Sequence, residues 1–134
     1  MIDTLQKKLY ETYNQEGTAP EDMVKPLFFT PAWYTTSTSG ASTYLPKFKN
    51  VHPDIEICFT GRDVFSSISN TDAATDKNWI GRTPVFWWNY PVNDNRDSVY
   101  YTNPIDCYYS QDSNPTNLKG VLSNPMNFSE SSKV

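Results

Sequence analysis

The sequence predicts an α/β fold, specifically a partial (β/α)8 TIM barrel comprising about the last four βα units. Three observations carry that expectation. Strand-length apolar segments begin near residues 26, 55, 84 and 120, at spacings of 29, 29 and 36 residues. They are apolar throughout rather than alternating, as parallel strands covered on both faces are. Each ends in a polar or aromatic cluster, namely Trp33-Tyr34, Thr60, Asn89 to Asp94, and Asn124. In a barrel of this type the working residues sit at the C-terminal strand ends.

Taken in order, residues 3 to 15 read as an amphipathic helix. Ile2, Leu5, Leu9 and Tyr13 recur at helical spacing, and Gly17 is a natural stop. The first strand is expected over Val24 to Thr30, ended by Pro31. A Ser/Thr loop from 35 to 43 precedes a helical turn around Tyr44 to Phe48. The second strand is Ile55 to Phe59, closed by Thr60-Gly61. Residues 70 to 80 form a helix capped by Asn70 or Thr71 and carrying Ala73, Ala74 and Trp79. The third strand is Pro84 to Trp88, and a long polar stretch runs from Asn93 to Asn117. The fourth strand is Gly120 to Ser123, and a last helix starts at Ser129 or Glu130. A whole barrel needs about 250 residues, so the 134 residues are read as one fragment, the second half of a barrel.

Composition narrows the function classes. Ten prolines, five glycines and 15% aromatic residues describe a loop-rich domain rather than a helical bundle. The net charge of −4 argues against nucleic acid, whose phosphates require clustered Lys and Arg. No apolar run approaches the roughly 20 residues needed to span a membrane, and Lys7, Lys8 and Glu11 interrupt any signal-peptide core at the N-terminus. Cys58 lies in an apolar strand and reads as a small buried hydrophobe, whereas Cys107 sits in a Tyr-rich loop. A disulfide between them is open, but spacing supports no metal site. His52 reads as a solvated loop residue. No cofactor is implied.

The chemistry concentrates in Trp87-Trp88-Asn89-Tyr90-Pro91-Val92-Asn93-Asp94. A flat indole covers the apolar face of a pyranose, while Asn and Asp take its hydroxyls. Hydrogen bonds to a carboxylate are charge-assisted and stronger than neutral ones. Side chains alternate along a strand, so only one of Trp87 and Trp88 faces such a pocket, and Trp88 is the one expected in the core. No adjacent acidic pair stands at a strand end to perform acid/base chemistry.

These segments resemble glycoside hydrolase family 84, which comprises bacterial β-N-acetylglucosaminidases, often called hyaluronidases, and the eukaryotic O-GlcNAcases. The matching motifs are Thr30 to Tyr34, Asp54 to Val64, Trp87 to Asp94, and Ser123 to Met126 with Ser131-Ser132-Lys133. The resemblance implies retaining, substrate-assisted hydrolysis of β-linked N-acetylglucosamine through an oxazoline, with an Asp-Asp pair on the fourth barrel strand, upstream of this chain. It implies that Tyr34 supports the acetamido group, and that Thr60, Val64 and Trp87 line the N-acetyl methyl pocket. Asn89 would contact the acetamido region, Asp94 the 4- and 6-hydroxyls, and Asn124 a ring hydroxyl. The implied partners are a β-linked GlcNAc glycan or glycoprotein and the missing N-terminal half of the barrel, and a secreted bacterial enzyme is implied. Phe59, Asn95 and Arg62-Asp63 depart from the family pattern.

Other readings stand beside this one. Trp33 and Tyr34 serve equally as ordinary strand-end aromatics, Thr60-Gly61 alone is a turn signal, and Asp94 among Asn93, Asn95 and Asp97 suits a solvated turn. A non-catalytic carbohydrate-binding module, usually an antiparallel sandwich, is one alternative, and an inactive truncated fragment is another. Half a barrel would expose strand edges and self-associate. The natural glycan and the compartment are not legible in the sequence.

Overall fold

The computed structural model describes residues 1–90 and 115–125. The elements run α1 (Ile2–Tyr13), β1 (Phe28–Phe29), α2 (Ala41–Tyr44) leading into a 3-10 turn (Leu45–Phe48), β2 (Glu56–Phe59), α3 (Asn70–Ile80), β3 (Val85–Trp88) and β4 (Gly120–Ser123). The four strands form one sheet in the order β1-β2-β3-β4, every pair parallel. A doubly wound sheet reverses its strand order at a switch point. Here each strand lies beside its successor, as consecutive staves of a βα barrel do. Such a parallel sheet with intervening helices is not an antiparallel sandwich. The expected last helix lies outside the described residues, as do Cys107 and most of the long polar stretch.

Register assigns each side chain a face. Phe28 is opposite Glu56, Cys58 opposite Val85, and Trp87 opposite Leu122. With a period of two, Glu56, Cys58 and Thr60 share one face with Val85, Trp87 and Asn89 and with Leu122 and Asn124. The opposite face packs on the helices. Ile57 joins Ala41, Leu45, Ile55 and Ile80 in one buried cluster. Phe59 and Phe86 join Ala73, Trp88 and Tyr90 in another. Trp88 is thus helix-facing, and its ring stacks on Tyr90 at 4.9 Å.

Three expectations are corrected. First, β1 is a pair of residues rather than 24 to 30. Val24 instead exchanges two hydrogen bonds with the Asn14 side-chain amide, Leu27 N–H donates to Gln6 Oε1, and Pro26 has no N–H to offer. Second, the Leu5-Leu9-Tyr13 row of α1 is not its packed face. Leu5 and Tyr13 are exposed, and Gln6 is the buried residue, turned inward by its bond to Leu27. Third, the cap of α3 is Ser69, whose side chain accepts from Asp72 N–H, rather than Asn70 or Thr71. His52 is also less solvated than expected, since Tyr10 packs edge-on against its ring at 5.6 Å.

Two residues position β2 and β3. Gly81 ends α3 with a φ of 75°, a left-handed conformation that favours glycine, and lies against the Lys49 side chain. Next to it, Arg82 donates to the carbonyls of Lys49, Val51, His52, Pro53 and Ile55, at 2.8 to 3.4 Å. One guanidinium therefore gathers the whole turn that enters β2.

Candidate functional site

The C-terminal ends of β2, β3 and β4 converge on one side chain. Asn89, buried just beyond β3, donates from Nδ2 to Val64 O at 2.8 Å and to Thr60 Oγ1 at 3.4 Å. Its Oδ1 accepts from Trp87 Nε1 at 3.1 Å and from Asn124 Nδ2 at 2.7 Å. A carboxamide offers two donors and two acceptor sites, so Asn89 is saturated. Sheet register explains the convergence, because Trp88 lies opposite Ser123 and the next residues on each strand are Asn89 and Asn124. Asn124 N–H also donates to Trp88 O, and Ser123 Oγ to Tyr90 O, which fixes the two strand ends together.

Tyr34 adjoins this cluster through its backbone. Thr60 N–H donates to Tyr34 O at 2.8 Å, which places the end of the segment after β1 beside the end of β2. The expected residues Thr60, Val64, Trp87, Asn89 and Asn124 thus share one hydrogen-bonded network with Tyr34 at its edge, while Asp94 lies outside the described residues. The structure differs from the plainest expectation for Asn89. With both donors and both acceptor sites engaged, it orients the Trp87 indole and the Asn124 amide. Asn124 keeps its carbonyl oxygen and one N–H for another partner.

Several residues missed in the sequence hold the turn between Thr60 and Val64. Gly61 has a φ of 89°, and a Cβ there would meet Ser66 Cβ at 2.8 Å. Only glycine fits that approach. Ser66 Oγ in turn accepts from Asp63 N–H and donates to Asp63 O. Thr36 N–H donates to Gly61 O, Ser37 N–H to Arg62 O, and Ser37 Oγ to Asp63. The loops after β1 and β2 are consequently one laced rim. Thr-Gly was legible only as a turn, and nothing in the sequence marked Ser66 as its latch.

The site's electrostatics are mild. Cys58 is a free buried thiol, and burial pushes its pKa up, which keeps it protonated and unreactive. Among the described residues no group of His, Cys, Asp and Glu is arranged to hold a metal ion. What the arrangement offers is recognition: an oriented indole, an amide with free capacity, and a threonine and valine beside them. Pockets of this sort combine an apolar lining with a few fixed polar groups.

The family model described as beta-N-acetylglucosaminidase matches residues 2–134. Among solved structures, the chain is similar to one titled CpGH84D, with a TM-score of 0.76 at 22% identity, covering 98% of this chain and 22% of that one. It is similar to CpGH84B, with a TM-score of 0.73 at 32% identity over 98% of this chain and 23% of the other. A mutant O-GlcNAc hydrolase of Thermobaculum terrenum aligns with a TM-score of 0.72 at 24% identity, over 98% of this chain and 27% of that one. The chain therefore spans about a quarter of the length of these proteins, and its parallel sheet is part of a TIM-barrel fold. The motif resemblance, the barrel topology and the match over residues 2–134 agree: the chain belongs to the beta-N-acetylglucosaminidase family.

Proposed function

We propose that this chain is the C-terminal half of the catalytic barrel of a retaining β-N-acetylglucosaminidase acting on β-linked GlcNAc. The observation that carries this reading is the single network on Asn89 that gathers Thr60, Val64, Trp87 and Asn124 beside Tyr34. In this reading Thr60, Val64 and Trp87 enclose the acetamido methyl, and the Tyr34 hydroxyl supports the acetamido carbonyl. Asn124 binds a ring hydroxyl, and Asp94 holds the 4- and 6-hydroxyls.

Such a pocket holds the acetamido oxygen near the anomeric carbon of the same sugar, replacing an encounter with an intramolecular step. The acetamido oxygen forms a bond to that carbon as the glycosidic bond breaks, giving an oxazoline, and the leaving oxygen takes up a proton. Water then attacks the anomeric carbon and reopens the ring with net retention. This route departs from the usual two-carboxylate scheme. The two aspartates that orient the acetamido group and move the protons belong, in this reading, to the N-terminal half of the barrel.

Three surfaces support a missing partner half. Phe28 in β1 is 57% exposed and Val121 in β4 is 46% exposed, on the two outermost strands. Between them lies a shallow concavity of about 200 Å³ lined by Phe28, Glu56, Val85, Lys119, Val121 and Leu122, with Lys119 paired to Glu56. On α1 the row of Leu5, Leu9 and Tyr13 lines a second depression. Unpaired strand edges and bare apolar faces of this kind are normally covered.

The chain alone should fail to hydrolyse a chromogenic β-GlcNAc substrate, and turnover should appear when the complementary half is supplied. Hydrolysis by the chain alone, abolished on changing Asp94, would overturn the reading. In the assembled barrel, Asp94→Ala should weaken a GlcNAc-like inhibitor by about 2–3 kcal/mol through lost charged hydrogen bonds. Unchanged affinity would refute its assignment.

A further inference from the structure

We infer that Asn124 selects its ligand by polarity: its amide lies one way round, carbonyl outward, and accepts only a group that donates a hydrogen bond. The orientation follows from the Asn89 network alone, whereas the donor's identity as a sugar hydroxyl rests on the reading above. A half-buried asparagine at a strand end ordinarily takes whatever water offers, because the two ends of an amide are alike in shape. Here neighbours of fixed polarity remove that freedom.

The constraint starts at two groups that cannot exchange roles. An indole N–H only donates, and a backbone carbonyl only accepts. Trp87 Nε1 lies 3.1 Å from one end of the Asn89 amide, and Val64 O lies 2.8 Å from the other. The first end must therefore be the oxygen and the second the nitrogen. Thr60 agrees. Its hydroxyl donates to Val64 O at 3.4 Å, which leaves only lone pairs to accept from Asn89 Nδ2, also at 3.4 Å. Turning Asn89 over would set oxygen against oxygen at Val64 and N–H against N–H at Trp87.

Asn124 inherits that constraint. Asn89 Oδ1 can only accept, so the end of the Asn124 amide held 2.7 Å from it is Nδ2. The backbone is fixed as well, because Asn124 N–H donates to Trp88 O at 2.7 Å. The end left over is the carbonyl. Asn124 is half-buried, and among the described residues no group donates to its Oδ1.

A carbonyl that cannot turn away selects by exclusion as well as by attraction. Ionised carboxylate, phosphate and sulfate oxygens, ether oxygens and fluorine only accept, and each would set lone pair against lone pair. A hydroxyl can rotate its proton onto Oδ1 and still accept from the second Asn124 N–H. The contact therefore suits a polyol and rejects an anionic or etherified substituent at the same point.

Two measurements on the protein test this. The first needs no ligand. In Asn124→Asp the end that meets Asn89 Oδ1 becomes an oxygen, so at pH 7 the urea midpoint should fall at least as far as in Asn124→Ala. A midpoint closer to that of the unaltered chain overturns the orientation, since a carboxylate is harmless there only against a donor. The second is titration calorimetry with GlcNAc and with its 3-, 4- and 6-deoxy and deoxyfluoro analogues. At one position both analogues should bind about tenfold more weakly than GlcNAc, and Asn124→Ala should bind all three alike. Fluoro analogues that match GlcNAc at every position, or losses that all persist in Asn124→Ala, overturn the donor requirement and leave the sugar pocket standing. Binding of none of these sugars by the unaltered protein overturns the sugar reading and the hydroxyl with it, while the amide orientation is judged by the first measurement alone.

Discussion

Asn89 and Asp76 are both buried polar side chains, and they are treated in opposite ways. Asn89 makes four hydrogen bonds across three strand ends. Asp76, on α3 between Ala73 and Ile80, is fully buried, and neither of its carboxylate oxygens has a hydrogen-bond partner. Burial alone pushes its pKa from the ordinary 3.8 up to about 7. The contrast separates two uses of a polar group in a core. At the mouth, partners from neighbouring strands complete Asn89 and tie the strand ends together. Under the helix, Asp76 is buried with nothing to complete it, which is a cost to the fold.

The largest expected effect follows from that difference. A folded-state pKa above the unfolded value means the folded form holds the proton more tightly. Stability from this group is then fully present below about pH 4 and falls as pH rises toward 7. At pH 8, Asp76→Asn or Asp76→Leu should raise unfolding free energy by roughly 4 kcal/mol, the equivalent of about three pKa units. The gain should shrink on acidification. Urea denaturation of each variant at pH 5 and pH 8 measures it, and a gain independent of pH would mean that the carboxyl is not the source.

This contrast also marks what was legible in the sequence. Asn89 was legible because it sits in a Trp-Trp-Asn-Tyr-Pro run at the end of an apolar strand, and the period of two placed it with Trp87 rather than Trp88. Thr60 and Asn124 were expected on the same rim from strand-end position, and their bonds to Asn89 are what the structure adds. Asp76 was not legible, because an acidic residue in Thr-Asp-Ala-Ala-Thr-Asp-Lys is read as solvent-facing. For the same reason α1 was rotated in the reading: Leu5, Leu9 and Tyr13 outrank Gln6 by hydrophobicity. Only the Leu27 backbone, which needs an acceptor, selects Gln6. Strand existence was legible from apolar runs, but the length of β1 depended on side-chain partners far along the chain.

Breaking the saturated side of the comparison should have the next largest effect. Asn89→Ala strands Trp87 Nε1 and Asn124 Nδ2 and leaves Val64 O with only its long bond from Thr60 Oγ1, at about 1–3 kcal/mol for each group that water cannot reach. A net loss of about 3 kcal/mol in denaturation is expected, together with changed Trp87 fluorescence. Full stability would show that the network contributes little to the fold. Arg82→Ala should follow at about 2 kcal/mol, since it removes a charged donor from several carbonyls entering β2. Arg82→Lys should recover only part, because an ammonium cannot span those carbonyls as a planar guanidinium does.

The smallest effect separates Asp76 from its helix. Ser69 caps α3 by accepting from Asp72 N–H at 3.2 Å, at the N-terminus of the helix and seven residues before Asp76. Ser69→Ala should lower stability by about 1 kcal/mol, the usual value of a lost N-cap. It leaves the buried carboxyl untouched, so the loss should be equal at pH 5 and pH 8. If the pH dependence assigned to Asp76 arose instead from fraying of α3, weakening the cap would steepen it, and combining Ser69→Ala with Asp76→Asn would not restore a flat profile. A parallel downward shift, with the double variant flat, assigns the whole pH response to one unpartnered carboxyl beneath a helix.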